Sequence, residues 1–337
     1  MKKILSAGLI GACLLFQTLP FDALAFEPPT TAAELQQMLE AERMRAERIR
    51  LERERLDAER AAIERAMRNF TVTAPTREIE RQVHEAAARR WAESRLCNNT
   101  LAVPCPITVR AGQMGAGGAT TFSFAGGEVF GWRMNVQGTL ERILDSVIPH
   151  EVCHILNACD TRRPLPRWLD EGIATLEEAD SERARQLALA RQIVGTARFI
   201  PVRELLSIKE YPRDMQAVLA LYAEGSMLTE FLVHRAAAAA GETWTTEQAR
   251  QWMLDFGNYA HTNGWDAALV RYRDDIGGLS NVDALAREYE RWLRGRDTAT
   301  YVFAPPVVTP PLPAGQQGGI LPVRNTDPNR NVVPLGR

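Results

Sequence analysis

Apolar and polar positions divide the chain into segments of different period. Residues 31–68 lack Gly and Pro and carry nine acidic and nine basic side chains, which suits a helix laced with i,i+4 ion pairs. Leu35, Ile49, Leu56, Ile63 and Phe70 share one seven-residue register, broken by Glu42. The second seam passes from Leu39 and Ala46 to Arg53 and Arg60, whereas a coiled coil needs both seams apolar. Residues 26–74 therefore read as a charged helical spacer or a weak coiled coil, with self-association through 31–68 as the functional option. Residues 76–96 read as an amphipathic helix with Ile79, Val83, Ala86, Ala87 and Trp91 on one face. Residues 104–110 alternate like a strand. A glycine-rich turn at 115–119 leads to a strand at 120–124, and Gly126-Gly127 turns the chain into a further strand at 128–136, which predicts a hairpin. Residues 139–157 return to a helical period, interrupted by Pro149. Further helices are predicted at 182–195, 215–240, 246–258, 264–275 and 281–294. Helix, small sheet and then mostly helix is an α+β order.

The two ends read differently from the middle. Lys2 and Lys3 precede an apolar run over 4–16, and Ala23-Leu24-Ala25 offers a small-residue cleavage site, so 1–25 reads as a signal peptide for export to the periplasm or beyond. Ile10-Gly11-Ala12-Cys13 has the look of a lipoprotein box, but Leu14-Leu15-Phe16 immediately after it argues against lipidation at Cys13. Residues 298–337 are rich in Pro and Gly, with few apolar anchors, and read as a disordered tail. That leaves 75–297 for the folded domain. No run after residue 25 reaches the roughly 18 apolar residues of a membrane helix. A net charge of −2 argues against a nucleic-acid binder. Export permits disulfides. Cys97–Cys105 and Cys153–Cys159 are the natural local pairs, although four cysteines allow three pairings.

The chemistry concentrates in His150-Glu151-Val152-Cys153-His154, the pattern H-E-x-x-H. On a helix, i and i+4 share a face, so both imidazoles reach one Zn²⁺. Glu151 lies about 100° round the helix, beside the metal, where it can take a proton from a zinc-bound water. Only five histidines occur in 337 residues, which makes an accidental match improbable. A catalytic zinc needs a third protein ligand and one open position. Glu171, 17 residues after His154, is one candidate, with Asn157 and the Pro164–Pro166 segment supplying the break between two helices. Asp160 is the other: His150 to Asp160 reads H-E-x-x-H-x-x-N-x-x-D, close to the metzincin pattern, with Asn157 where that pattern has a turn glycine.

The motif followed by Trp168-Leu169-Asp170-Glu171-Gly172-Ile173-Ala174 resembles the gluzincin clan of zinc peptidases, and more closely the peptidase-MA-like proteins of bacteria. The resemblance runs over about 76–294 and is strongest at 147–178. It implies a gluzincin-like catalytic domain acting on a peptide or protein. One Zn²⁺ would be held by His150, His154 and Glu171, with Glu151 as the general base. Thermolysin-like members carry an Asp four residues after the third ligand, whereas this chain has Thr175. The resemblance also implies an edge strand for substrate pairing, and 115–124 fits by position. Tyr222 is the candidate hydroxyl donor to the oxyanion. His84, His234 and His261 read as ordinary surface or core residues. The rival reading is a non-catalytic envelope or scaffold protein that retains a zinc-binding core.

Overall fold

The computed structural model describes residues 31–112, 115–295 and 301–306, and the backbone of 320–321. The signal-like segment 1–25, with Cys13, and most of the tail lie outside the described residues. The chain divides into two compact units at Arg53. Helix α1 (Ala32–Ala66) begins in the first unit, where Leu35, Leu39 and Ile49 are all exposed and Glu47 pairs with Arg50 along the helix. The end of α1 belongs to the second unit, where Ala62 and Ala66 are buried. No described helix is long and apolar enough to cross a membrane.

The second unit is α+β. Its main sheet has the order β1-β3-β5-β4, formed by β1 (Phe70–Thr73), β3 (Cys105–Ala111), β5 (Glu128–Gly138) and β4 (Gly117–Ala125). The first three strands are parallel, and β4 runs antiparallel to β5 along the edge. The predicted hairpin is therefore present, closed by Gly126 and Gly127 at positive φ, the geometry of a two-residue turn. Strand β1 had no counterpart in the sequence reading. It is four residues long, and its partner Cys105 lies 35 positions away from Phe70.

Helix α2 (Arg77–Ala92) packs on the sheet, capped by Thr76 accepting from the Ile79 N–H. A two-residue strand β2 (Thr100–Leu101) follows it. A turn of helix, α3 (Leu140–Arg142), leads into α4 (Ile148–Thr161) without the interruption expected at Pro149. Between them, 143–147 form a π-helical turn, in which the Ile148 N–H reaches the Ile143 carbonyl. Such a turn absorbs an extra residue, and the proline, early in α4, causes no break. Beyond α4, the remaining elements are α5 (Arg167–Thr175), α6 (Asp180–Ile193), α7 (Val202–Leu205), α8 (Met215–Ala240), α9 (Thr246–Asn263), α10 (Trp265–Arg271) and α11 (Val282–Arg294).

Helix α4 separates two cores. Val152, Ile155 and Leu156 face the sheet with Trp91, Met134 and Ile107, whereas Cys153 joins the helical core of Trp168, Leu169, Leu228 and Tyr289. The expected disulfides are absent: Cys105, Cys153 and Cys159 are buried free thiols, so neither Cys97–Cys105 nor Cys153–Cys159 forms. The helix explains the second case, because residues six apart on α4 lie about 240° apart around it and about 9 Å apart along it. Burial pushes the Cys105 thiol up to about 12, with Glu151 adding to the shift, which leaves it unreactive near neutrality. Asn157 does not end the helix either. The chain turns at Arg162, whose φ of 52° is left-handed and whose N–H caps the Ala158 carbonyl.

Part of the segment read as a disordered tail is packed. Tyr301 donates its N–H to Glu230, Ala304 donates to the Trp244 carbonyl at 2.8 Å, and the Arg183 guanidinium lies over the Phe303 ring. The two aromatic anchors thus meet the buried pair Arg183 and Glu230. Further on, β6 (Ile320–Leu321) pairs in parallel with β2.

Helices α5 and α8 approach through glycines. A Cβ on Gly172 would run into Thr229 and come within 2.7 Å of the Gly225 carbonyl, and one on Gly225 would sit 2.9 Å from the Trp168 carbonyl. Since α5 carries Glu171, this contact sets where that carboxylate stands. Gly172→Ala is expected to destabilise the fold by about 1–3 kcal/mol through overpacking. Thermal and urea melts of the variant check this; an unchanged midpoint would refute the close approach.

Candidate metal centre

On α4, His150, His154 and Asn157 recur at i, i+4 and i+7 and share one face. Helix α5 returns beneath that face after the turn at Arg162 and brings Asp170 and Glu171 with it. The His150 and His154 Nε2 atoms are 3.1 Å apart. Glu171 Oε2 lies 3.3 Å from the first and 3.7 Å from the second. Ligands at about 2.0–2.1 Å from a tetrahedral zinc stand about 3.4 Å from one another, so this triangle has the size a zinc ion requires. Among the described residues, these three form the group of His, Cys, Asp and Glu donors that fits a metal.

The outer atoms decide what the inner ones can do. His150 Nδ1 is 2.7 Å from Glu178, in the loop before α6, and His154 Nδ1 is 3.1 Å from Asp170. Each imidazole thus turns Nδ1 toward a carboxylate at ion-pair distance, which orients the ring with Nε2 toward the cluster. Both Nε2 lone pairs then point at Glu171 Oε2, a buried oxygen with no hydrogen-bond donor. Three acceptors converging in a buried space repel unless protons or a cation lie among them. The donor set therefore fits a divalent metal. Glu171 Oε1, the other oxygen, accepts from the Tyr211 hydroxyl.

Proton affinities express the same field. Burial alone would lower the His150 pKa, but Glu171 and Glu178 more than reverse this and hold it well above the usual imidazole value. His154 is raised likewise, with Asp170 and Glu171 outweighing burial. Burial would raise Glu171, yet the two histidines bring it below the ordinary carboxylate value.

Glu151 stands beside the triangle, 3% exposed, and is not part of it. Its Oε2 accepts from the Thr120 hydroxyl of β4 at 2.6 Å. Its pKa is raised, first by burial, with both histidines acting in the opposite sense. The β4 backbone comes so close that a Cβ on Gly118 would lie 2.6 Å from Glu151 Cδ. A cleft of about 340 Å³ opens here between Gly115–Gly118, α6 and α8, and includes His150, Glu151 and Tyr222. Tyr222 lines this cleft and stacks on Tyr211, with ring centroids 6.2 Å apart. Burial, and then Glu171, keep its hydroxyl protonated far above neutrality.

Asp160 is elsewhere. It pairs with Arg250 at 2.8 Å and with Arg95 at 2.9 Å. Arg250 also donates to Asn157 Oδ1, and Asn157 donates to Asp170 at 3.1 Å. Asn157, at the position where the metzincin pattern has a turn glycine, is an interior helical link between this ion pair and the carboxylate behind His154. The sequence reading had brought together His150, His154, Glu171, Glu151 and Tyr222. It missed Asp170, Glu178, Thr120 and Tyr211. Asp170 had a signal, as the acid next to Glu171 on the same helix. Glu178 lies three residues beyond Thr175, where the clan pattern gave no reason to look.

Zinc titration of single variants separates these roles. Glu171→Ala should lose affinity by more than Asp170→Asn, for which a loss of about 10–100-fold is expected. Asp160→Ala should cost little metal affinity and some stability, through its lost ion pairs with Arg250 and Arg95. Metal loss in Asp160→Ala with retention in Glu171→Ala would overturn the assignment. No protein-family model matches the chain, nor does any curated protein or solved structure, so the reading of the cluster rests on its own geometry.

Proposed function

We propose that the protein is an exported zinc-dependent peptidase with a gluzincin-like catalytic domain. The observation that carries this reading is the triangle of His150, His154 and Glu171 with a separate carboxylate, Glu151, held beside it in the wall of a cleft. A purely structural metal site has no use for that fourth group, which counts against the scaffold alternative. The signal-like N-terminus supports export.

A zinc ion bound by the three residues would polarise the scissile carbonyl and make a water acidic enough to attack it. Glu151 receives the water proton and delivers it to the departing amine. Burial raises its proton affinity, the direction that favours taking up the proton before handing it on. Thr120 keeps one oxygen of Glu151 oriented, leaving the other for the proton. Tyr222 is protonated and lines the cleft, so it can donate to the oxyanion. Strand β4 is the sheet edge beside Glu151, and an extended peptide can pair with it as an added strand. Gly117 and Gly118 keep that approach free of side chains.

Glu151→Gln should retain zinc and lower hydrolysis of a mixed peptide library by about a hundred- to ten-thousandfold. Gly118→Ala should also retain zinc, yet slow turnover by about a hundredfold, because the new methyl displaces Glu151. Mass-spectrometric detection of cleavage, with zinc content measured in parallel, checks both. Undiminished hydrolysis by Glu151→Gln would overturn the mechanism.

A further inference from the structure

Tyr211 makes a contact that the reaction outlined above leaves unused. It lies in the segment 206–214 between α7 and α8, and its hydroxyl donates to Glu171 Oε1. The other oxygen of that carboxylate, Oε2, is the one that stands 3.3 Å and 3.7 Å from the two histidine Nε2 atoms.

The local sequence leaves the tyrosine little freedom. Pro212 follows it, which disfavours the helical region for the Tyr211 backbone. Arg167 holds the segment from the other side. Its backbone N–H donates to the Ile208 carbonyl at 3.0 Å, and its Nε donates to the Lys209 carbonyl at 3.2 Å. The same guanidinium lies 4.5 Å over the Tyr211 ring, and the Tyr222 ring stacks on it. Arg167 and Glu171 are four residues apart on α5 and so share a face. One turn of helix therefore carries both the carboxylate and the clamp that sets a hydroxyl against it.

Tyr222 lines the cleft and Tyr211 does not, so Tyr211 acts on the chemistry through Glu171. Burial gives that contact its weight. Glu171 is 0% exposed, and the Tyr211 hydroxyl is the donor that Oε1 has among the described residues. A buried acceptor stripped of its donor is costly and turns to whatever positive group is nearest. In a loaded site that group is the metal, and carboxylates bind metals through one oxygen or two. A catalytic zinc with three protein ligands keeps one position for water, and a second oxygen from Glu171 would compete for it.

We infer that Tyr211 is a positioning residue that confines Glu171 to ligation through one oxygen: its hydroxyl holds Oε1, so Oε2 alone is given to the metal and the position needed by the water stays open. This rests on the zinc reading given above.

The test uses the full chain loaded with cobalt(II) in place of zinc, because four-coordinate cobalt(II) absorbs visible light more strongly than five-coordinate cobalt(II). Tyr211→Phe removes the hydroxyl and keeps the ring. It is expected to retain metal affinity, to show a weaker visible band, and to lose about 10–100-fold in kcat on peptides with KM unchanged. A visible band identical to that of the wild type would overturn the inference, whatever happens to turnover. Metal affinity reduced about 10–100-fold with an unchanged band would overturn it too, because Tyr211 would then be a plain tether for the ligand. So would a phenolate-to-metal charge-transfer band in the copper(II)-loaded wild type that Tyr211→Phe abolishes, since the tyrosine would then be a ligand itself. A wild type that binds neither cobalt nor zinc would remove the zinc reading and this inference with it. The expected change of band and affinity, in a protein that cleaves no peptide, would uphold the role of Tyr211 and refute the peptidase reading alone.

Discussion

Two imidazole nitrogens and one carboxylate oxygen are held within 3.1–3.7 Å of one another at the inner wall of a cleft, and much of the surrounding structure serves to keep them there. Such a cluster is repulsive on its own. It persists because each member is tethered from behind: Glu178 and Asp170 on the outer nitrogens, Tyr211 on the outer oxygen of Glu171. The helices that carry the members cannot drift, either. Helix α4 is wedged between the sheet core and the helical core, and α5 is seated on α8 by a glycine on each side of the contact. A divalent cation converts the convergence from a cost into coordination, which is why the same arrangement supports the proposed zinc site.

The ionic links behind the cluster reach across several elements. Asp170 is fixed by Asn157, Asn157 by Arg250, and Arg250 by Asp160 and Glu247. Breaking one partner in a buried network of this kind leaves a charge unmatched, which is more costly than never having had the pair.

Much of this was readable from residues close together in the chain. His150, Glu151 and His154 depend only on helical periodicity, and α8, α9 and α11 start within a residue of their predicted bounds, each opened by its own cap, Asp214, Thr245 and Asn281. Glu171 was legible as one of two candidates, and the Trp-x-x-Glu-Gly context already favoured it over Asp160, which in the structure pairs with Arg250 and Arg95. What escaped depends on distant partners. Strand β1 is four residues whose pairing is with β3, and Glu178 and Thr120 acquire roles only when loop and edge strand meet α4. Pro149 looked like a break because a π-helical turn leaves no mark in hydrophobic periodicity. The cysteines looked like disulfide pairs because sequence proximity ignores the helix that holds Cys153 and Cys159 apart.

The central claim concerns which atoms hold the metal, and zinc K-edge X-ray absorption of the loaded protein addresses it directly. The account predicts one zinc per chain with two imidazole nitrogens and a carboxylate oxygen in a shell at about 2.0–2.1 Å, and no sulfur. The absence of stoichiometric zinc, or a shell at about 2.3 Å that marks thiolate ligation, would contradict it.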